Sequence, residues 1–131
     1  MNTDFPYLSI VIPFFNEQDN LSLLNDLIAK EMKQNDYTYE IILVDDGSTD
    51  QSLAIANQLA KTISEVKCIE LSRNFGQENA ILAGLNHASG SIIVTMDSDL
   101  QHPPACIPLL VKKHEEGFDV VNTARIDKKS G

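Results

Sequence analysis

Four short apolar runs punctuate the chain: Leu8–Ile12 (LSIVI), Glu40–Val44 (EIILV), Val66–Leu71 (VKCIEL) and Ser91–Met96 (SIIVTM). They are rich in β-branched residues and lack a polar alternation, which is the pattern of strands buried on both faces. Phe118–Val121 (FDVV) predicts a fifth. Between the runs the apolar period changes to that of a helix. Leu21, Leu24, Ile28 and Met32 form one stripe within 17–34. Leu53, Ala56, Leu59, Ala60 and Ile63 form a second, with Asp50 or Ser48 as its N-cap. Ala80, Leu82, Ala83 and Leu85 mark a third, closed by Ser89-Gly90. Ile107, Leu110, Val111 and His114 mark a fourth, opened by Pro103-Pro104 and ended near Gly117.

Strand and helix thus alternate throughout, which predicts an α/β fold: a mostly parallel sheet with helices on both faces. No linker, repeat or low-complexity segment interrupts the alternation. Residues 125–131 (RIDKKSG) are polar and read either as an exposed tail or as the point where a longer chain has been cut.

Composition narrows the function classes. The 131 residues suffice for one domain, or part of one, and 43% apolar content excludes a disordered tail. Ten basic against nineteen acidic residues give a net charge of −9. That balance argues against nucleic-acid binding, which needs a basic surface to neutralise phosphates, and against charge-driven attachment to an anionic membrane. Cys68 and Cys106 lie in apolar contexts without CxxC spacing and read as buried thiols of a reducing compartment. The N-terminus lacks a basic region before its apolar run, and no stretch approaches the ~20 apolar residues of a membrane span. The expectation is a soluble, cytoplasmic segment.

In an open parallel sheet ligands bind outside the carboxyl ends of the strands. Those ends carry the polar chemistry here. The first ends in Pro13-Phe14-Phe15-Asn16-Glu17, and the second in Asp45-Asp46-Gly47-Ser48-Thr49-Asp50. The third ends in Ser72-Arg73-Asn74-Phe75-Gly76-Gln77, and the fourth in Asp97-Ser98-Asp99-Leu100-Gln101. Clustered carboxylates repel, and Arg73 is the only cation in these four segments. A divalent ion is the expected remedy, with Asp97 and Asp99 both aiming oxygens at one Mg²⁺ or Mn²⁺. Neither a P-loop nor a dinucleotide fingerprint is present, so a diphosphate would be held mainly through the metal. Asp45, Asp46 and Glu17 suit hydrogen bonds from base N–H and ribose hydroxyls. Each motif also has a plain structural explanation. Asp45-Asp46-Gly47-Ser48 equally suits a turn, Asn16-Glu17 a helix start, and Arg73 a surface charge. The coincidence of four strand ends on one edge favours a site over these. His87, His102 and His114 are assigned no chemistry.

The strings IVIPFFNEQDNL, IILVDDGSTDQS and LSRNFGQENAILAGLNHASGSIIVTMDSDLQHPP resemble the family 2 glycosyltransferases. The similarity is closest to the polyprenyl-phosphate sugar transferases, the dolichyl-phosphate mannose synthase and bactoprenol glucosyltransferase type, and covers Leu8 to Arg125. It implies the GT-A fold, of which 1–131 would be the nucleotide-sugar-binding part. The acceptor-binding part and any membrane-contacting segment would lie in a C-terminal portion that is missing, and the full-length protein would work at the cytoplasmic face of the membrane. Pro13, Asn16 and Glu17 match positions lining the nucleoside pocket. Asp45 matches the acid that reads the base, with Asp46 beside it. Arg73 and Gly76 match the loop next to the donor. Asp97 would lie near the ribose or metal, and Asp99 and Gln101 match metal-binding positions. Arg125 sits where the family often has a basic residue near the acceptor phosphate.

The implied reaction is inverting, metal-dependent transfer of a sugar from a nucleotide-diphospho-sugar, with UDP-glucose favoured, to a polyprenyl phosphate. The acceptor oxygen is already anionic, which fits the lack of any nucleophile–base pair in the sequence. The segment alone is expected to be weakly active or inactive. A truncated sheet exposing an apolar edge would give a homo-oligomer. The alternatives are a receiver-type phosphoacceptor module, an Asp-nucleophile phosphatase and a non-catalytic nucleotide-sugar-binding domain. The receiver is disfavoured by the strand and helix preceding the acidic pair, and the phosphatase by Asp-x-Asp following the fourth strand rather than the first.

Overall fold

The structure, a computed structural model, describes residues 5–101, 103–116 and the backbone strand Arg125–Lys128. The elements run β1 (Leu8–Phe14), α1 (Leu21–Gln34), β2 (Tyr39–Asp45), α2 (Ser52–Thr62), β3 (Val66–Glu70), α3 (Gln77–His87), β4 (Ile92–Thr95), α4 (Cys106–Glu115) and β5 (Arg125–Lys128). The sheet order is β3-β2-β1-β4-β5. The first four of these strands are parallel, whereas β5 is antiparallel to β4.

Alternate strand residues serve opposite layers, because side chains switch face at every step. Leu8, Ile10, Ile12 and Phe14 of β1 join Ile41, Leu43 and Val94 in a core closed by α1, α2 and α4. The stripe Leu21, Leu24, Ile28 and Met32 of α1 is fully buried there. Val11, Ile42, Val44 and Ile93 face the other way, under α3. The helix lies close on that side because Gly84 has no side chain. A Cβ at Gly84 would sit 2.3 Å from Val11 Cγ1.

The predicted strand Phe118–Val121 lies outside the described residues. The described strand beside β4 comes from the polar segment read as a tail. An edge strand pairs through backbone groups and needs no apolar run, so its sequence carries little signal. Large exposed apolar residues are spread over the helices, with Leu23 and Leu27 on α1, Leu82 on α3 and Leu109 on α4.

At the amino edge of the sheet a polar network ties strands together. Glu40 is buried, and its Oε2 accepts from Ser9 Oγ at 2.5 Å and from Ser89 N and Oγ at 2.7 and 2.9 Å. Lys67 Nζ donates to Oε1 at 2.7 Å. Burial pushes the Glu40 carboxyl up, but the bonds from Lys67, Ser9 and Ser89 outweigh it and hold the group below its ordinary value. A carboxyl so depressed contributes stability that is fully present above its unfolded pKa of about 4.3 and is lost as pH falls through the lower folded value. Glu40→Gln should therefore destabilise the protein at neutral pH by roughly 1–3 kcal/mol. The difference from wild type should shrink below about pH 4, as read from urea unfolding across pH.

Both cysteines are free thiols, and both are half-buried rather than buried as expected. Burial, aided by the charges of Asp45 and Glu70, pushes Cys68 up to about 11, so it stays protonated.

Candidate active site

The carboxyl ends of β1, β2 and β4 open onto one cleft of about 240 Å³. Pro13, Phe14, Phe15 and Glu17 line it from the β1 end, Asp46 from the β2 end, and Asp97, Ser98 and Asp99 from the β4 end. Gln77, the first residue of α3, completes it. Four of the predicted carboxylates therefore do meet at one place.

Hydrogen bonds from backbone and amide groups fix these loops. Asn16 stands at φ 54, a left-handed conformation that Asn tolerates better than most residues. Its Oδ1 accepts from Thr49 N at 2.8 Å and Asp50 N at 3.2 Å, and its own N–H donates to Ser48 Oγ at 2.9 Å. Glu17 N donates to the buried Ser52 Oγ at 2.7 Å. The β1 and β2 loops are thus laced together, and Asn16 acts as the clamp between them rather than lining the cleft. The predicted cap of α2 is present in shifted form: Asp50 Oδ1 accepts from Ser52 N at 2.8 Å, one residue before the position a helix cap would hold.

The two adjacent aspartates divide their tasks. Asp45 is buried and accepts from Ser48 N at 3.0 Å, which is the turn explanation realised. Asp46 lines the cleft and accepts from Phe75 N at 2.8 Å and Gly76 N at 3.3 Å, drawing the loop after β3 across to β2. The acid facing the cleft is Asp46, not Asp45.

Asp97 Oδ1 accepts from Gln77 Nε2 at 2.8 Å, and Asp99 Oδ1 from Gln101 N at 3.0 Å. Between them, Leu100 is held at φ 65, an uncommon conformation for a branched residue. Its side chain packs on the main core, which holds the turn. Arg73 is exposed, stacks its guanidinium 4.8 Å from the Phe75 ring centre and makes no ion pair among the described residues. Arg73, Gly76 and Gln101 are not among the residues lining the cleft. Arg125 pairs with Thr95, which puts its backbone at the same sheet edge as Asp97.

This geometry corrects one premise. The acidic rim does not depend on a cation for its partners, because Glu17, Asp45, Asp46, Asp97 and Asp99 each accept a bond from a backbone or amide N–H. Nor do the described residues hold three or more His, Cys, Asp or Glu side chains grouped as a metal cage. The donor set still fits a hard cation. Asp97 and Asp99 each keep Oδ2 without a described partner, and such an ion readily takes its remaining oxygens from phosphate and water.

Four lining residues were not singled out from the sequence: Phe14, Phe15, Ser98 and Gln77. Phe14, Phe15 and Ser98 lie at or just beyond strand ends, and Gln77 opens α3 at the close of the loop after β3, so the rule that selected the others reaches them too. No single-residue chemistry distinguished them.

The chain is 47% identical over 122 residues to an undecaprenyl-phosphate 4-deoxy-4-formamido-L-arabinose transferase of Photorhabdus laumondii, covering 92% of this chain and 38% of that one. It spans well under half the length of such relatives. Among solved structures, the mannosyltransferase PcManGT of Pyrobaculum calidifontis, in complex with GDP-Man and Mn²⁺, is 27% identical with a TM-score of 0.63. That match covers 74% of this chain and 28% of the other. TarS 1-349 of S. aureus, in complex with UDP, is 28% identical with a TM-score of 0.60, covering 70% and 27%. These neighbours are GT-A glycosyltransferases, and no described helix is long and apolar enough to cross a membrane. The model of the family described as "Glycosyl transferase family 2" matches residues 9–131, nearly the whole chain, and the chain belongs to that family.

Proposed function

We propose that this chain is the donor-binding part of an enzyme that transfers a sugar from a nucleoside-diphosphate sugar to a polyprenyl phosphate, with inversion at the anomeric carbon. The observation that carries the reading is the single cleft in which Glu17 and Asp46 meet Asp97 and Asp99. The relatives named as undecaprenyl-phosphate transferases support the acceptor, and the GDP-Man and UDP complexes of the structural neighbours support the donor class.

Glu17 and Asp46 accept hydrogen bonds from the base and ribose, while Pro13 and Phe15 wall the nucleoside. Asn16 and Asp45 hold the loops that shape this half. Asp97 and Asp99, with Gln101 fixing the Asp99 turn, would hold Mg²⁺ or Mn²⁺. Such an ion, when bound, supplies Lewis-acid stabilisation of the diphosphate as it leaves. Arg73, which makes no ion pair among the described residues, is assigned to the same charge, with Gly76 in the loop beside it. Arg125, at the β5 edge, is assigned to the acceptor phosphate. An acceptor phosphate oxygen attacks the anomeric carbon, the new C–O bond forms as the bond to the diphosphate breaks, and the electron pair leaves with the nucleoside diphosphate. The acceptor oxygen carries charge already, so no side-chain base is required.

Calorimetry of the chain with UDP and GDP, with and without Mn²⁺, tests the reading. UDP is expected to bind best, at least ~10-fold tighter with Mn²⁺ present. Absence of nucleotide binding under both conditions would overturn it. A second reading, donor binding without appreciable turnover by this chain alone, is favoured by its coverage of 38% of the length of its relative. Full sugar transfer by the 131 residues would remove that reading.

A further inference from the structure

We infer that Gln77 is the positioning residue that sets the Asp97 carboxylate and couples it to the nucleoside half of the cleft. The inference rests on the metal-assisted reading above and assigns a role to a side chain that reading leaves unused.

The geometry forms a relay across three strand ends. Asp46, at the end of β2, accepts from the N–H groups of Phe75 and Gly76. Asn74 Oδ1 also accepts from Gly76 N at 3.1 Å, and Asn79 Nδ2 donates to Phe75 O at 2.7 Å. The peptide leading into α3 is therefore gripped from both sides, and Gly76 turns it at φ 98. The next residue is Gln77, whose Nε2 reaches across to Asp97 Oδ1 at 2.8 Å. The amide occupies one carboxylate oxygen and leaves Oδ2 as the oxygen with no described partner. Gln77 is otherwise exposed, and no other hydrogen bond of its side chain occurs among the described residues. Outer partners of this kind fix a ligand's orientation, and their loss commonly weakens a metal site about 10-fold or more.

The test compares the chain with Gln77→Met, which keeps length but cannot donate, and with Gln77→Ala. Mn²⁺ binding in the presence of UDP is followed by the electron paramagnetic resonance of free Mn²⁺, alongside metal-free UDP affinity and metal-free Tm. Both variants should weaken Mn²⁺ binding about 10-fold. Metal-free UDP affinity should stay within twofold and Tm within about 2 °C, because one exposed hydrogen bond is lost. Unchanged Mn²⁺ affinity in both variants overturns the inference while the wild-type signal upholds the functional reading. A loss of Mn²⁺ affinity that tracks an equal loss of metal-free UDP affinity, or a larger fall in Tm, assigns Gln77 a structural role and also overturns it. Failure of the wild type itself to bind Mn²⁺ with UDP overturns the metal reading and the relay together.

Discussion

Replacing Asp99 with alanine is expected to abolish the Mn²⁺-dependent component of nucleotide binding and to leave the fold standing. Asp99 is exposed at the cleft, and its hydrogen bond is local, to the N–H of Gln101 two residues on. Loss of such a bond at a surface turn costs stability only about 0.5–1 kcal/mol. The neighbouring Leu100 keeps its anchorage in the core, so the turn keeps its shape. The effect on a bound cation is of a different size. On the proposed reading, the protein's carboxylate share of the coordination falls on Asp97 and Asp99, which both line the cleft. Removing one halves the formal protein charge on the ion, and affinity for hard cations follows ligand charge closely. Mn²⁺ should bind on the order of 100-fold more weakly, while metal-free UDP affinity changes little. Calorimetry with and without Mn²⁺ separates the two. An Asp99→Ala chain that retains wild-type metal dependence would remove Asp99 from the ion.

The largest expected loss of stability among changes near the site comes from Gly47→Ala. Gly47 follows the aspartate pair at φ 82, where a side chain adds about 1–2 kcal/mol of strain. Space is lacking as well: a Cβ there would lie 2.5 Å from Asn74 N and 2.8 Å from Arg73 C, both backbone atoms. The loop after β3 must move away, which adds about 1–3 kcal/mol of the kind seen on overpacking. The combined cost is roughly 2–5 kcal/mol. The displaced loop is the one Asp46 holds through Phe75 and Gly76, so Mn²⁺-dependent UDP binding should fall with stability. Gly76→Ala provides the control. Its φ is also positive, 98° with ψ 154°, a conformation nearly confined to glycine, but a Cβ would meet nothing within 4 Å, leaving the backbone cost alone, about 1–3 kcal/mol. Urea unfolding of both variants checks the ranking; equal losses would mean that the close approach of the two loops carries no weight.

Much of this architecture could be read from the chain because burial on both faces leaves a strong mark. The runs at β1, β2 and β4 are nearly continuous and apolar, the edge strand β3 (VKCIE) is mixed, and the stripe on α1 recurs at helical spacing. The strand-end rule then located Glu17, Asp46, Asp97 and Asp99 together without any knowledge of contacts. The rule could not rank residues within a loop. It treated Asp45 and Asp46 alike, although one is consumed by its own turn and the other reaches a loop 29 residues away. It passed over Gln77, whose meaning depends on an aspartate 20 positions distant. It also read RIDK as part of a tail, because an edge strand is defined by the neighbour it pairs with rather than by its own side chains.

The order of residues alone determined the alternating elements, the parallel core and the edge of the sheet where chemistry gathers, since each follows from periodicity and chain direction. Tertiary structure decided which acids line the cleft, and how each is satisfied. Those outcomes turn on hydrogen bonds between loops far apart in sequence, and a bond of that kind is fixed by where the backbone returns in space, which no local pattern encodes.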